Sequence, residues 1–440
     1  MVVTETGFRV GIAVAMAFVL VLQLPALRAP HHEGDETVLT FLAERLRAEP
    51  LRYSVQGALE GASARRFLAD TWARIYGDPP TPERERAVRD LARLDRVELT
   101  VDPLRPGRRV FDPAIYDHPV FIHPPAYPLL LTLSRVALGS WGGPLLSIAM
   151  HMATVLALAL LGRTWFGPRV GLLAGTLVAI DPVSWLAGSH VWIDGMLELN
   201  TVLAMLAVAT ALRSGRTRAF AAAGAMLGLA TVTKYPAILL APVAGVAFFL
   251  SDRRPSWRHV LAFAAGGAAL LVPWLLAFRA GYGAWLPVTK PTAWLMETYS
   301  YVRMMADRPW HFYVSGSLCV APVAGFALAA MPALRESPRV WIPCTWAVAT
   351  LLAMTLLGLS GHGMQLRYLG PGMPAVCLLA AVGIDRLRSA AWLGVALAAA
   401  IVTLASSLAN ARMAEPFPSV LVFAARRVGL PIESWLGGMW

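Results

Sequence analysis

The chain has 440 residues, of which 57% are apolar and 15% are charged. This composition excludes a water-soluble globular protein, because a single core cannot bury so large an apolar fraction without lipid around it. A formal charge of +11 would suggest nucleic-acid binding in a soluble protein, but the arginines occupy short loops between apolar runs, where membrane topology explains them.

The first apolar run, residues 8–27, has two interpretations. It could be a cleaved signal peptide, but it is long, and Ala26-Leu27-Arg28 does not provide the small residues of a cleavage site. The sequence therefore predicts a retained first transmembrane helix within residues 1–27.

A long segment, residues 28–142, follows this helix and is predicted to lie outside the membrane core. Residues 36–48 have the pattern of a helix in the membrane interface, and a second such helix is predicted at Ala126–Leu138. Thr81-Pro82 is a helix-start signal, so a helical insertion is predicted at about residues 52–110, for contact with an acceptor or a partner. A solvated spacer is the alternative.

The rest of the chain alternates between apolar runs and arginine-containing loops. Hydropathy predicts an all-α polytopic membrane protein with a transmembrane bundle at residues 143–409 and a short outer tail at residues 410–440. The eleven predicted spans are residues 8–27, 143–162, 169–187, 195–212, 219–233, 235–251, 260–279, 312–331, 340–359, 369–384 and 390–409.

The loops differ in charge from one side to the other. If the N-terminus is cytoplasmic, every inner loop carries at least two arginines, as the positive-inside rule requires. Seven of the nine histidines and both lysines, Lys234 and Lys290, fall on the outer side. The inner loops are residues 163–169, 213–218, 252–259, 335–339 and 385–388.

Acidic residues with catalytic potential lie just after the first span. Asp35 and Glu36 open the predicted interfacial helix, where a carboxylate can meet both a lipid-borne donor and an acceptor, so Asp35 is the candidate general base. The alternative is that Asp35 only caps this helix.

Two further acids and three further cationic or aromatic side chains complete the candidate set. Asp194 and Glu198 are four residues apart at the outer start of a span, and acids inside a span are functional candidates. Lys234 in Thr-Lys-Tyr-Pro, and Arg367 with Tyr368, are placed to hold an anionic headgroup, although headgroup snorkelling also explains Arg367.

Histidines near both ends of the long outer segment suggest a metal site. His and Asp side chains there could ligate a divalent metal such as Mn, Mg or Zn, but they lack a motif spacing, and interfacial hydrogen bonding is the alternative. His123 precedes two prolines that hold it in an extended segment, and His118 is a further supporting residue. The candidate ligands are His31, His32, Asp117 and His123.

Taken in order, these motifs resemble the C-type (GT-C) membrane glycosyltransferases of the protein O-mannosyltransferase and lipid A aminoarabinose transferase group. The resemblance covers most of residues 8–385, although the family often has Lys where this chain has His123, and its first acid lies closer to the Pro-Pro motif. The matching motifs are Gly34-Asp35-Glu36, His123-Pro124-Pro125, Asp194, residues 228–236 and Arg367-Tyr368-Leu369.

The resemblance implies an inverting transferase that moves a sugar from a polyprenyl-phosphate donor to a hydroxyl or amine of a lipid, glycan or protein. It implies Asp35 as the catalytic carboxylate, with Glu36 beside it. The expected location is the bacterial inner membrane, with the active site facing the periplasm. The expected partners are the lipid-linked sugar, membrane lipids and the acceptor, and no nucleic acid.

Two other functions are consistent with the sequence. A transporter would use Asp181, Asp194, Glu198 and Lys234 as a site within the membrane, although transporters usually show matching halves with broken helices in both. A non-catalytic scaffold would use the outer insertion to dock a partner.

Overall fold

The protein is described by a computed structural model. The described residues are 3–27, 34–58, 100–101, 109–111, 120–252, 254–283, 285, 308–359, 364–410 and 419–427.

Helices make up most of the described chain, which confirms the predicted all-α membrane class. We number the α-helices in chain order, and short 3-10 helices join several of them. They are α1 (Glu5–Gln23), α2 (Gly34–Ala48), α3 (Ala126–Leu138), α4 (Gly142–Phe166), α5 (Pro168–Ile180), α6 (Pro182–Ser189), α7 (Ile193–Ser214), α8 (Thr217–Thr231), α9 (Leu240–Phe249), α10 (Trp257–Tyr282), α11 (Phe312–Val320), α12 (Ala333–Glu336), α13 (Trp341–Leu359), α14 (Met373–Asp385), α15 (Ala390–Ala409) and α16 (Ser419–Arg427).

The membrane-spanning potential of these helices follows from their length and composition. Within the described residues, six are long and apolar enough to cross a membrane, and up to eight if each bent pair forms one span. The bent pairs are α5 with α6, at 61°, and α11 with Pro322–Glu336, at 114°. Shorter apolar helices cover two more predicted spans, at Tyr235–Phe249 and Met373–Asp385. The chain is thus a multi-pass membrane protein, and the count of eleven spans stays a prediction.

Ion pairs join the loops that were predicted to lie on the inner side. These pairs link Arg163 to Glu5, Arg169 to Asp385, Arg339 to Asp252 and Arg386 to Glu336. Four of the five predicted inner loops and the N-terminal helix therefore meet at one end of the bundle. We call this end the arginine-rich end.

The interfacial helix α2 rests on the other end of the bundle. Its apolar side chains Val38, Leu39, Leu42 and Leu46 are buried against a small core that includes Leu131 of α3. On its polar side, Glu44 pairs with Arg135 of α3 at 2.6 Å. The structure confirms helices at both predicted interfacial segments, with α3 at the predicted bounds.

The end of the predicted outer insertion contains two short strands. β1 (Thr100–Val101) pairs antiparallel with β2 (Arg109–Phe111). The helix start predicted at Thr81-Pro82 lies outside the described residues.

Small residues bring α8 and α10 into backbone contact. A Cβ atom built on Gly224 of α8 would lie 1.8 Å from the carbonyl oxygen of Phe263, and one on Gly266 of α10 would lie 2.0 Å from that of Ala221. Such close approach is a common way for membrane helices to gain packing energy, because lipid supplies no hydrophobic drive between helices.

We therefore expect Gly224→Ala to lower the thermal stability of the purified protein. The added methyl group overpacks the α8–α10 contact, which costs about 1–3 kcal/mol. The matched control is Gly394→Ala in α15, where a new Cβ meets nothing within 4 Å. Melting in detergent measures both, and equal melting temperatures for the two variants would contradict the close helix contact.

Candidate functional site

The N-terminal turn of α2 places Asp35 against a buried arginine. Oδ2 of Asp35 lies 2.8 Å from Nη1 of Arg367. The Arg367 side chain is 11% exposed and that of Asp35 is 47% exposed, so the guanidinium lies inside the site while Asp35 is half-buried at its edge. The resemblance singled out both Asp35 and Arg367. They are far apart in the sequence and in direct contact in the structure.

Aromatic rings hold the Arg367 guanidinium in place. It lies 4.6 Å from the ring centre of Trp192 and 5.7 Å from that of Tyr368, and the Trp192 ring stacks on His190 at 4.3 Å. Its Nε also donates to the side-chain oxygen of Gln365. A planar guanidinium suits this combination, because it can contact aromatic rings with its face and pair with a carboxylate along its edge.

A second ion pair lies beside the first. Lys234 Nζ is 2.7 Å from Oδ1 of Asp194, with exposed fractions of 17% and 6%. Lys234 also lies 5.3 Å from the ring centre of Tyr368, so Tyr368 contacts both cations. Asp194 is in the first turn of α7, where the helix dipole favours a negative charge.

The turn that carries Lys234 is fixed from both sides. α8 ends at Thr231, and Val232 accepts a hydrogen bond from the backbone of Ala126 at 3.1 Å. Thr233 accepts another from Asn200 of α7 at 3.0 Å. Lys234 thus lies in the short turn between α8 and the 3-10 helix Tyr235–Leu239 that leads into α9, and the two separate membrane spans expected for this region stay a prediction.

Glu36 has a different environment from its neighbour. It is 6% exposed, and its Oε1 accepts the backbone N–H of Val191 at 2.6 Å. This bond ties α2 to the segment between α6 and α7, close to Trp192. The geometry therefore gives Glu36 a positioning contact, and its predicted catalytic role stays a prediction.

The charge of Asp35 is set by opposing effects. Burial alone would raise its pKa, but the positive charges around it, Arg367 above all, hold the pKa below its usual value. Asp35 is therefore ionised at neutral pH while Arg367 is beside it.

His123 lies in the extended segment before α3. Its carbonyl oxygen accepts a hydrogen bond from the Tyr53 hydroxyl at 2.8 Å, and its ring packs against Phe121. Burial, together with the charge of Lys234, lowers the pKa of His123 to about 4. At neutral pH the imidazole is therefore uncharged.

This low pKa predicts a pH effect on stability. The unfolded chain binds a proton at His123 near pH 6.5 and the folded protein only near pH 4, so folded-state stability should fall as the pH drops between these values. Melting temperatures of the wild type and His123→Gln, measured across this range, test the effect. The slope of melting temperature against pH should be smaller in His123→Gln than in the wild type. An unchanged slope would mean that other groups cause the pH dependence.

Asp181 and Glu198 share one hydroxyl group inside the bundle. Ser184 Oγ lies 2.5 Å from Glu198 Oε1 and 3.1 Å from Asp181 Oδ2, and the Ser184 N–H also donates to Asp181 at 2.9 Å. Both acids are 2% exposed. A hydroxyl has one hydrogen, so the two oxygen contacts need a second one from a carboxyl group. Because Asp181 also accepts the N–H, we infer that Glu198 holds this second hydrogen.

This proton count predicts the effect of two substitutions. Glu198→Gln should keep nearly wild-type stability, because its amide can donate to Ser184 as the carboxyl group does. Glu198→Ala removes that donor and leaves a cavity. It should lower the free energy of unfolding by about 2–4 kcal/mol. Melting temperatures of the two variants decide this, and a Gln variant as unstable as the Ala variant would argue for an ionised Glu198.

The structure therefore divides the predicted residues. Asp35, Arg367, Tyr368, Lys234 and Asp194 are joined by direct contacts, and Glu198 contacts Ser184. His31, His32, Asp117 and His118 lie outside the described residues. Among the residues that are described, no three His, Cys, Asp or Glu side chains converge as a metal-binding group, so the metal stays a prediction.

Sequence reasoning missed Trp192 and Gln365, which hold Arg367. Trp192 lies two residues before Asp194, at the residue that precedes α7, and tryptophan is enriched at membrane interfaces. That signal could have drawn attention to its position, but the partner of its ring is 175 positions away (367 minus 192).

Comparisons with known proteins bear on the fold. A family model described as dolichyl-phosphate-mannose-protein mannosyltransferase matches residues 122–276. The structure of ArnT from Cupriavidus metallidurans bound to undecaprenyl phosphate is similar, with a TM-score of 0.59, 17% identity, and coverage of 98% of this chain and 73% of that one. The chain has the C-type glycosyltransferase fold.

Further comparisons bear on this C-type fold. The apo structure of the same ArnT has a TM-score of 0.58, 16% identity, and coverage of 96% and 71%. The Archaeoglobus fulgidus oligosaccharyltransferase in complex with Zn and sulfate has a TM-score of 0.50, 14% identity, and coverage of 92% and 57%. No curated protein sequence matches the chain. The resemblance to C-type membrane glycosyltransferases is confirmed.

The family match and the site overlap only in part. Residues 122–276 include His123, Asp194 and Lys234. Asp35 and Arg367 come from outside this range, and the fold brings them to it.

Proposed function

We propose that the chain is an inverting glycosyltransferase that moves a sugar from a polyprenyl-phosphate donor to an acceptor at the outer face of a bacterial inner membrane. One observation carries the proposal: two cations, Arg367 and Lys234, both contact the Tyr368 ring, and each is paired with a carboxylate. ArnT of the same fold binds undecaprenyl phosphate, which supports a lipid-linked donor.

The proposed reaction needs one base and no general acid. The bond between the anomeric carbon and the phosphate oxygen breaks, a bond from the acceptor oxygen or nitrogen forms, and the acceptor proton passes to Asp35. Arg367 and Lys234 stabilise the charge that grows on the departing phosphate. A single displacement of this kind inverts the anomeric carbon, unlike the double displacement of retaining glycosidases.

The ion pairs also suggest an order of events. A donor phosphate bound between Arg367 and Lys234 competes with Asp35 and Asp194 for these cations. Released from Arg367, Asp35 loses the charge that lowers its pKa and becomes a better proton acceptor. In this proposal, donor binding prepares the base.

The outer segment has a proposed part in acceptor binding. We propose that residues 28–142 form an outer region whose insertion, at about residues 52–110, contacts the acceptor lipid, glycan or protein. Asp35 lies near the start of this segment, since α2 begins at Gly34, soon after the first span. A divalent metal bound by His31, His32, Asp117 and His123 stays a proposal for the same region.

The test compares cells with and without the gene. Mass spectrometry of envelope lipids and glycans should show one sugar missing in the deletion strain, restored by the wild-type gene. Purified protein in nanodiscs should then transfer that sugar from a polyprenyl-phosphate donor. Gradient-driven solute uptake into sealed vesicles without any transfer would support a transporter instead, and loss of function only on deleting residues 52–110 would support a scaffold.

A further inference from the structure

A cavity of about 420 Å³ opens at the arginine-rich end of the bundle. Its walls come from the last residues of α4, α7 and α9 and from the beginning of α13. α7 starts at the candidate site with Asp194 and runs for 22 residues, and at 1.5 Å per residue it is about 33 Å long. Because this is about the thickness of the hydrocarbon core, the cavity lies at the opposite membrane surface.

The rim of the cavity is charged and accessible. It carries Arg213, Arg339 and Asp252, so two arginines stand against one aspartate. Arg339 pairs with Asp252 at 3.3 Å, but their side chains are 54% and 89% exposed, and an ion pair so exposed contributes little. Arg213 makes no ion pair within the described part of the chain. The rim therefore has an excess of positive charge that an incoming anion can use.

The floor of the cavity is apolar and buried. Ala209, Ala247 and Ile342 line it and are 2%, 1% and 4% exposed. Trp165 forms part of the wall, at the level where tryptophan side chains anchor to the membrane interface. The cavity thus changes from cationic at its mouth to apolar at its base.

We propose that this cavity binds the headgroup of an anionic phospholipid, with its phosphodiester between Arg213 and Arg339 and the start of its acyl chains on the apolar floor. Guanidinium groups suit phosphate oxygens, and basic pockets between helix ends are suitable sites for anionic headgroups. The volume is within the range of about 300–1,000 Å³ usual for ligand sites. A soluble phosphate would use the rim but gain nothing from the floor, which favours the lipid. The proposal does not depend on glycosyl transfer.

The site can be tested by native mass spectrometry. The full-length protein is released from detergent in the presence of added lipid, and the lipid that it retains is measured. The wild type should retain phosphatidylglycerol in preference to phosphatidylcholine. Arg213→Gln with Arg339→Gln should weaken phosphatidylglycerol retention about thirtyfold, as expected for two cations at a headgroup. The matched control, Arg216→Gln with Arg258→Gln, removes the same charge from exposed arginines outside the cavity lining, and should weaken retention less than about threefold.

A second variant distinguishes binding inside the cavity from non-specific electrostatic attraction to this surface. Leu212→Trp fills part of the wall and keeps both arginines, so it should also reduce phosphatidylglycerol retention. Two results would overturn the proposal. Equal losses of phosphatidylglycerol retention in the cavity pair and the control pair would indicate a diffuse electrostatic attraction to this surface. Full competition by soluble glycerol phosphate would indicate a site for free phosphate. If the arginine pair fails to fold, Leu212→Trp alone decides, and wild-type retention in that variant refutes the site.

Discussion

Asp35→Asn should abolish sugar transfer and leave the protein folded. Asparagine has the size of aspartate and can still contact Arg367, but it cannot accept the acceptor's proton. Loss of a general base costs about 10²–10⁴ in rate. The measurement is the transfer rate of purified protein in nanodiscs with a polyprenyl-phosphate donor, with gel filtration and melting as checks on folding.

A second acid on the same helix provides the control for this prediction. Glu44 lies on the polar side of α2 and pairs with Arg135, away from Arg367. Glu44→Gln removes a carboxylate from α2 without touching the site, so its transfer rate should stay near that of the wild type. Wild-type transfer by Asp35→Asn would refute Asp35 as the base.

Arg367→Ala should have a comparably large effect, through the donor. It removes the guanidinium that stacks on Trp192 and pairs with Asp35. If Arg367 stabilises the leaving phosphate, its loss should lower kcat by about 10²–10³ and raise the donor KM. Arg367→Lys should restore only part of this, because an ammonium group lacks the planar shape for stacking and pairing together.

Arg135→Ala is the matched control for Arg367→Ala. Arg135 also ties α2 to another element through an acid, at 2.6 Å, but lies outside the candidate site. If both substitutions reduced transfer equally, the effect would come from the attachment of α2 and not from phosphate binding. A normal kcat together with a normal donor KM in Arg367→Ala would exclude Arg367 from the donor site.

Local features of the architecture were predictable from the sequence. Amphipathic spacing predicted α3 at Ala126–Leu138, where the structure has it, and predicted α2 within two residues of its start. Apolar runs and arginine-containing loops predicted the helical regions of the bundle and the loops of its arginine-rich end. These signals are visible in the sequence because whether a residue is buried or faces lipid depends on which face of its own helix it occupies.

Pairings between distant residues were not predictable in the same way. Lys234 and Arg367 were selected as cations, yet nothing near them in sequence indicates that Asp194 and Asp35 are their partners. Glu198 shares the helix face of Asp194, but a bend of 61° between α5 and α6 brings Ser184 to it. Such contacts depend on how helices cross, which hydropathy does not encode.

The sequence by itself determined that this is a multi-pass helical membrane protein, since its apolar runs are stable only in lipid, and it singled out Asp35, Lys234 and Arg367. The tertiary structure decided how these residues act together. In the folded protein, Arg367 stacks on Trp192 and pairs with Asp35, and Tyr368 contacts both cations. These contacts form because the packing of α2, α7 and the turn before α14 brings segments that are far apart in the chain to one membrane surface.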